Sequence, residues 1–297
     1  MNWLLFALLS PAFWGLNNVF NKFLMTKKFN GYFSIVIYLN FVDLIFASTV
    51  YIVAPISFEF PYVLFASVIG IMPLLAFWFY SKALMVEEVS RITPLFQFIP
   101  IFVVLLSALF LGEILSVQKY FGIGLIVLTS ILISYRKSEN GKSMSSAFKL
   151  MIPFTGIIAV YSVLNKYLLG YLDYWSLFFW MMIGSWFGVV FMMAFSKPRK
   201  EFVKNVPKLG KRTFFVVFMG EGTYILGTIC SLIATSLGYI SLVSVLSGLQ
   251  HFFVFIYMLL LSLFVPTILK EEINRNVVAL KIVAIVLMFV GTWLITV

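Results

Sequence analysis

The chain has 297 residues, of which 62% are hydrophobic and 11% charged, with a formal net charge of +10. Soluble domains carry about 25% charged residues, so this composition excludes a soluble globular protein and indicates one polytopic membrane domain. A single cysteine and a single histidine exclude a disulfide framework, a multi-ligand zinc site, an iron–sulfur cluster and a bis-histidine haem, so we expect no metal and no cofactor.

A membrane-spanning helix needs about 20 mostly apolar residues. The chain contains ten such spans, near residues 2–25, 32–54, 61–83, 93–111, 117–135, 149–169, 174–196, 213–237, 242–265 and 277–296. The connections are short except for residues 136–148 and 197–212. The first of these divides the chain into two halves of five spans, residues 1–140 and 141–297. We therefore predict an all-α membrane protein with ten transmembrane helices.

The two halves resemble each other in sequence. Residues 19–24 read Val-Phe-Asn-Lys-Phe-Leu and residues 163–168 read Val-Leu-Asn-Lys-Tyr-Leu, with Pro11 and Pro153 upstream. Residues 110–114 and 268–273 are also similar. Because each half has an odd number of spans, the second half enters the membrane from the opposite side. This pattern predicts a five-plus-five inverted repeat, which is typical of carriers whose site lies between the repeats.

The basic residues are distributed asymmetrically between the two sides of the membrane. Of the 21 Lys and Arg residues, 17 fall in the odd-numbered connections, and seven of these lie between residues 197 and 212. By the positive-inside rule, we predict a multi-pass protein of the cell membrane with the 197–212 loop in the cytoplasm and both termini external. The same distribution explains the net charge of +10 without a nucleic-acid partner.

Several of these features resemble the drug/metabolite transporter superfamily, specifically the EamA-like ten-helix carriers. The residues that carry the resemblance are Leu111, Gly112 and Glu113, which close the fourth span, Gly122 and Gly124 in the fifth, and Ala83, Leu84, Ser90 and Pro94 around the third connection. The second half departs from the pattern at Lys270 and Lys281. The resemblance implies that both termini are cytoplasmic, opposite to the charge distribution, and it implies that the eighth span lines a central cavity.

Ionisable residues inside the spans are the first candidates for a transport site, because each costs about 2.5–3.5 kcal/mol at the bilayer centre unless it is paired or hydrated. Glu221 is either a structural carboxylate or a cation or proton site. His251, beside Gln250, is either a packing residue or a group suited to proton coupling. For Asp43 the favoured interpretation is a structural ion pair, and a proton relay is the alternative. Lys22 and Lys166 occupy equivalent repeat positions and are gate candidates, with snorkelling to the interface as the alternative.

Aromatic and amide side chains complete the predicted substrate site. Tyr224 lies three residues after Glu221 and therefore on the same helix face. A carboxylate with aromatic neighbours suits an amine, through charge pairing and cation–π attraction. The remaining predicted substrate-binding residues are Trp14, Asn17, Asn18, Trp78, Tyr80, Gln97 and Tyr161.

These patterns predict a secondary transporter working by alternating access. We expect it to move a small amine-containing or zwitterionic metabolite, such as an amino acid, with proton-coupled export as one mode. Two alternatives remain open at this point: a membrane-embedded lipid-modifying enzyme, and a passive channel or accessory subunit. We expect a small-molecule substrate and the lipid bilayer as partners. The sequence leaves the oligomeric state open and is compatible with a monomer.

Overall fold

The computed structural model describes residues 2–27, 32–86, 92–134, 145–205, 210–264, 286–287 and 289–296. The regular structure in these ranges is helical, and no strand occurs within them. The predicted all-α class is therefore confirmed.

The helices follow one another with short connections. In the first half they are α1 (Trp3–Lys27), α2 (Tyr32–Val53), α3 (Tyr62–Gly70), α4 (Met72–Val86), a 3₁₀ helix (Thr93–Gln97), α5 (Phe98–Phe110) and α6 (Val117–Ser134). In the second half they are α7 (Ser145–Leu168), α8 (Tyr174–Met193), α9 (Ser196–Asn205), α10 (Lys211–Leu237), α11 (Ile240–Ser247) and α12 (Gln250–Phe264). Residues 289–296 are also helical.

Seven helical stretches in the described part of the chain are long and apolar enough to cross a membrane. They are Trp3–Asn21, Phe33–Val53, Tyr62–Ala83, Phe148–Leu168, Tyr174–Met193, Lys211–Leu237 and Ile240–Met258. The predicted fourth and fifth spans appear as shorter apolar helices, and most of the predicted tenth span lies outside the described residues. The count of ten spans and the inverted repeat therefore stay predictions.

Two predicted spans are interrupted. The third breaks at Ile71, between α3 and α4, and the ninth breaks at Gly248 and Leu249, between α11 and α12. A break of one or two residues leaves the mean hydropathy of a span high, so hydropathy does not reveal it. The backbone stays hydrogen-bonded at both places, because the Ile71 N–H donates to the Val68 carbonyl and the Gly248 N–H donates to the Val245 carbonyl, each at 3.1 Å.

The long basic connection also contains structure that hydropathy does not predict. Residues Ser196–Asn205 form α9, which packs against α2. The backbone N–H of Ser34 donates to Glu201 Oε1 at 3.1 Å, and the Ser34 hydroxyl donates to the Glu201 carbonyl at 3.0 Å. These bonds hold the helix against the start of α2.

The largest contacts of α1 and α7 are each with helices from the other half of the chain. The largest contacts of α1 are with α10 and α12, and the largest contacts of α7 are with α4 and α5. Between α3 and α8 the backbones touch, because Gly184 faces the Ser67 backbone and Gly70 faces the Met181 backbone. Small residues allow this close approach between membrane helices.

Large apolar side chains cover much of the outer surface. Ile52 and Ile114 are each 82% exposed, and Leu109 is 78% exposed. Such exposure would be unfavourable in water but suits contact with lipid tails. The polar side chains that are buried inside the bundle are therefore the candidates for a functional site.

Candidate functional site

Two carboxyl groups lie next to each other in the middle of the bundle. Glu221 on α10 is 4% exposed and Asp43 on α2 is 9% exposed, and their side chains are hydrogen-bonded to each other. Asn17 on α1 also hydrogen-bonds to Glu221. Asp43 Oδ1 has no hydrogen-bond partner among the described atoms. The three helices thus bring together an acidic pair with one oxygen left unused.

Glycine residues explain how α1 and α10 approach closely enough to build this pair. The Asn17 side-chain amide donates to the Gly220 carbonyl at 2.9 Å, and the Asn21 amide donates to Asn17 Oδ1 at 2.8 Å. A Cβ on Gly220 would lie 3.1 Å from the Phe20 Cβ on α1, and two turns further along α10 a Cβ on Gly227 would lie 2.6 Å from the Trp14 ring. Gly220 and Gly227 therefore allow a close contact between α1 and α10.

Aromatic and hydroxyl side chains surround the acidic pair. Trp14 Nε1 donates to Thr228 Oγ1 at 3.3 Å, and Thr228 donates to the Tyr224 carbonyl at 2.9 Å. Tyr224 lies within electrostatic range of Glu221, Asp43 and Tyr161. A carboxyl group with these ring faces nearby can hold a proton or an organic ammonium.

A group of mainly aromatic side chains, the histidine cluster, surrounds His251 on α12. Its ring lies 6.4 Å from that of Phe96, centroid to centroid, and its Nδ1 is 3.3 Å from the Gly248 carbonyl at the interruption between α11 and α12. Phe96 also contacts the rings of Tyr80 and Phe154. Gln97 is 3% exposed in the neighbouring 3₁₀ helix. This histidine cluster sits between the two halves, apart from the acidic pair.

Glu113 and Lys166 hold the junction between α10 and α11. Lys166 Nζ donates to the carbonyls of Thr235 and Gly238, at 2.7 and 2.8 Å, where α10 ends. Glu113 accepts the backbone N–H groups of Ile240 and Ser241, at 2.9 and 3.1 Å, where α11 begins. The two side chains therefore satisfy opposite ends of two consecutive helices, a positive charge on the carbonyl end and a negative charge on the N–H end.

This junction forms one wall of a cavity of about 800 Å³. The cavity opens at the end of the bundle that carries both chain termini, and its lining includes Trp3, Glu113, Lys119, Lys166, Tyr239 and Thr296. Its size is that of a typical small-molecule pocket. Neither Glu221 nor Asp43 lines it.

Residues 1–135 match the model of the EamA-like transporter family. The resemblance to the drug/metabolite transporter superfamily is thereby confirmed for this part of the chain. Together with the seven apolar helices, the match supports a multi-pass membrane transporter.

The fold of the whole chain is similar to that of a solved structure. It is described only as "Crystal structure of protein", superposes with a TM-score of 0.74 at 16% identity, and aligns over 99% of this chain and 97% of that one. No curated protein matches the chain significantly. The match of residues 1–135 to the EamA-like transporter family suggests a membrane transporter.

The structure distributes the predicted substrate-site residues over three places. Around the acidic pair lie Glu221, Tyr224, Asn17 and Tyr161, and Trp14 contacts Gly227 and Thr228 about two turns further along α10. Around the histidine cluster lie His251 and Tyr80, with Gln97 and Gln250 on the adjoining elements. Two residues face outwards: Asn18 is exposed, and Trp78 is 39% exposed with Lys82 Nζ 3.5 Å from its ring centroid. Of the two gate candidates, Lys166 caps α10, and the side chain of Lys22 lies outside the described residues.

Two residues have roles that the sequence does not reveal. Asp43 hydrogen-bonds to another carboxyl group, whereas its sequence position favours a structural ion pair. Glu113 marks the family resemblance, but its capping of α11 depends on residues more than a hundred positions away in the chain. The sequence feature that marks Asp43 as a candidate site residue is its position in mid-span, where a charge needs a partner. Only the fold identifies that partner as Glu221.

Proposed function

We propose that this protein is a secondary active transporter that moves a small amine-containing or zwitterionic metabolite, such as an amino acid, across the cell membrane by alternating access. Proton exchange drives the movement, with export of the metabolite as the physiological direction. The observation that carries this proposal is the buried Asp43–Glu221 pair in a chain whose first half matches a transporter family.

The pattern of helix contacts supports an inverted repeat of residues 1–140 and 141–297. In such a repeat α1 corresponds to α7, the eighth span to the third, and the ninth to the fourth. The contacts of α1 with α10 and α12 then correspond to the contacts of α7 with α4 and α5, and these are the largest contacts of each helix. Pro11 and Pro153 lie inside the corresponding helices α1 and α7. This correspondence favours two halves that exchange roles during transport.

The acidic pair suits proton coupling because two carboxyl groups share a hydrogen bond only when one of them carries the proton. An organic ammonium entering beside Tyr224 and Trp14 would pair with the ionised carboxylates and displace that proton. Each ligand lowers the charge of the pair from −2 to −1, and both ligands would use the same carboxyl oxygens, so the site binds one or the other. Competition for one site is the simplest physical basis for exchange of a proton against an amine.

A run of polar side chains leads from the pair towards the cavity. Tyr224 lies near Glu221 and Tyr161, and the Tyr161 hydroxyl is hydrogen-bonded to the Asn165 side chain. The next residue, Lys166, lines the cavity. This run supports a route between the middle of the membrane and the face that carries the termini, which the charge distribution places outside the cell.

The test is proton movement in liposomes that contain the purified protein and a trapped pH-sensitive dye. Adding a panel of amino acids and simple amines outside should change the internal pH for the substrates. Glu221→Gln keeps the size and hydrogen bonding of the side chain but removes its charge, so we expect it to abolish the pH change while gel filtration shows a folded protein. Asp43→Asn should have the same effect, because each carboxyl group needs the other.

The matched control is Glu59→Gln, because Glu59 is an exposed carboxylate on the connection between α2 and α3. This variant should transport like the wild type. A folded Glu221→Gln variant with unchanged transport and unchanged pH dependence would remove Glu221 from the site. Loss of folding in Glu221→Gln but not in Asp43→Asn would indicate a structural carboxylate, because breaking a buried pair costs about 3–5 kcal/mol.

A further inference from the structure

The cavity at the terminal end of the bundle has an unbalanced positive charge. Its described lining contains two cationic side chains, Lys119 and Lys166, and one carboxylate, Glu113. Glu113 is 4% exposed, and its two oxygens accept three hydrogen bonds, from the Ile240 N–H, the Ser241 N–H and the Ser241 hydroxyl. Glu113 also lies within electrostatic range of Lys166, so the two lysines and the one carboxylate of the described lining leave a net charge of +1.

Both lysines can still bind a ligand. An ammonium group has three N–H donors, and Lys166 uses two of them for the Thr235 and Gly238 carbonyls. Lys119 lies in the first turn of α6, where the helix dipole adds positive potential. The start of α11 offers no competing anion site, because Glu113 already occupies its N–H groups.

We propose that this cavity binds a small organic monoanion, with its carboxylate between Lys119 and Lys166. Trp3, Tyr167 and Tyr239 provide apolar walls for the rest of the molecule. The inference rests on the proposed transport function and narrows its substrate class to amine-containing compounds that also carry a carboxylate. At one stage of transport the acidic pair would bind the amino group, and at a separate stage the cavity lysines would bind the carboxylate at the membrane face.

The charge of the cavity can be measured with a reporter thiol. Cys230, the single cysteine, is first replaced by serine, and Thr296→Cys then places a thiol in the cavity lining. The rates of modification by an anionic and by a cationic methanethiosulfonate reagent are compared. Removing one ammonium with Lys119→Gln should lower the ratio of the anionic to the cationic rate about fivefold, as expected for a Coulomb interaction across a hydrated cavity of this size.

The matched control is Lys211→Gln, because Lys211 begins α10 and lies at the opposite end of the helix from the cavity. This variant should leave the ratio unchanged. Lys166→Gln should lower the ratio as Lys119→Gln does. A ratio in Lys119→Gln equal to that of the parent protein, or a thiol that neither reagent reaches, would overturn the proposal.

Ligand binding is tested with the same thiol and neutral N-ethylmaleimide. Butyrate should slow its labelling, butyramide of the same size should not, and Lys119→Gln should remove the effect of butyrate. Equal protection by butyrate and butyramide would contradict a carboxylate site, and protection by inorganic phosphate alone would assign the cavity to phosphorylated ligands instead. Because no step uses a proton gradient, these results are independent of the Glu221→Gln test.

Discussion

Glu113→Gln provides a sharp test of the junction between α10 and α11. Glu113 is the last residue of the Leu-Gly-Glu sequence that closes the fourth predicted span. Its Oε1 accepts the Ile240 N–H at 2.9 Å, and its Oε2 accepts the Ser241 N–H at 3.1 Å and the Ser241 hydroxyl at 2.6 Å. No water from the bulk can replace these bonds easily, because Glu113 is 4% exposed.

The loss of stability in Glu113→Gln follows from the number of acceptor oxygens in the side chain. Glutamine offers one carbonyl oxygen, and its amide group would face an N–H donor, so one backbone N–H at the start of α11 loses its acceptor. A buried donor without a partner costs about 1–3 kcal/mol. Loss of the negative charge at a helix N-terminus adds about 0.3–1 kcal/mol, and up to about 2 kcal/mol in partly buried geometries. We therefore expect the free energy of unfolding to fall by about 2–4 kcal/mol.

The assay is thermal unfolding of the detergent-purified protein. For a chain of this size, the expected loss corresponds to a decrease in Tm of about 5–10 °C. Ser241→Ala removes the hydroxyl donor alone and should cost about 1 kcal/mol. Glu59→Gln removes an exposed carboxylate and should leave Tm unchanged. A Glu113→Gln variant with the Tm of the wild type would refute the capping role.

Two further predictions concern packing and topology. Gly184→Val should prevent recovery of a monodisperse protein on gel filtration, because its side chain would meet the Ser67 backbone. Gly156→Ala should be tolerated, because the space around its Cβ is open. A well-folded Gly184→Val variant would contradict the close contact of α3 with α8. In a Cys230→Ser background, a membrane-impermeant reagent applied to intact cells should label a cysteine added at residue 1 or 297 and spare Asn205→Cys. The opposite labelling pattern would place the termini in the cytoplasm, as the family resemblance implies.

The helical class of the fold follows from the sequence because a chain in lipid must hydrogen-bond all of its backbone groups internally. A long apolar segment must form a helix to satisfy its backbone, so hydropathy alone predicts an all-α bundle. The interruptions at Ile71 and Gly248 could not be predicted in this way, because they depend on how neighbouring helices fill the space around them. Hydropathy also does not predict α9, because most of its ten residues are polar and its contact with Ser34 is not local.

The candidate site could be predicted only in part. Glu221 and Tyr224 are three residues apart on one helix, so local spacing places them on one face. That Asp43 lies beside Glu221 follows from the packing of α2 on α10, which no spacing rule encodes. Trp78 illustrates the converse: aromatic residues are frequent in this chain, and residue type alone does not separate a buried ring from one that faces outwards.

The geometry of α10 indicates that the acidic pair and the cavity act in sequence. Glu221 lies fourteen residues before Thr235, whose carbonyl is bonded to Lys166. At 1.5 Å per residue, this separation is about 21 Å along the helix, which is more than one amino acid can bridge. In the proposed mechanism, a substrate would therefore leave one site before it reaches the other. Glu221 would determine whether a proton is exchanged, and Lys119 and Lys166 would determine which molecules are held at the membrane face. Lys119→Gln should thus change the affinity for the substrate carboxylate and leave the number of protons moved per substrate unchanged.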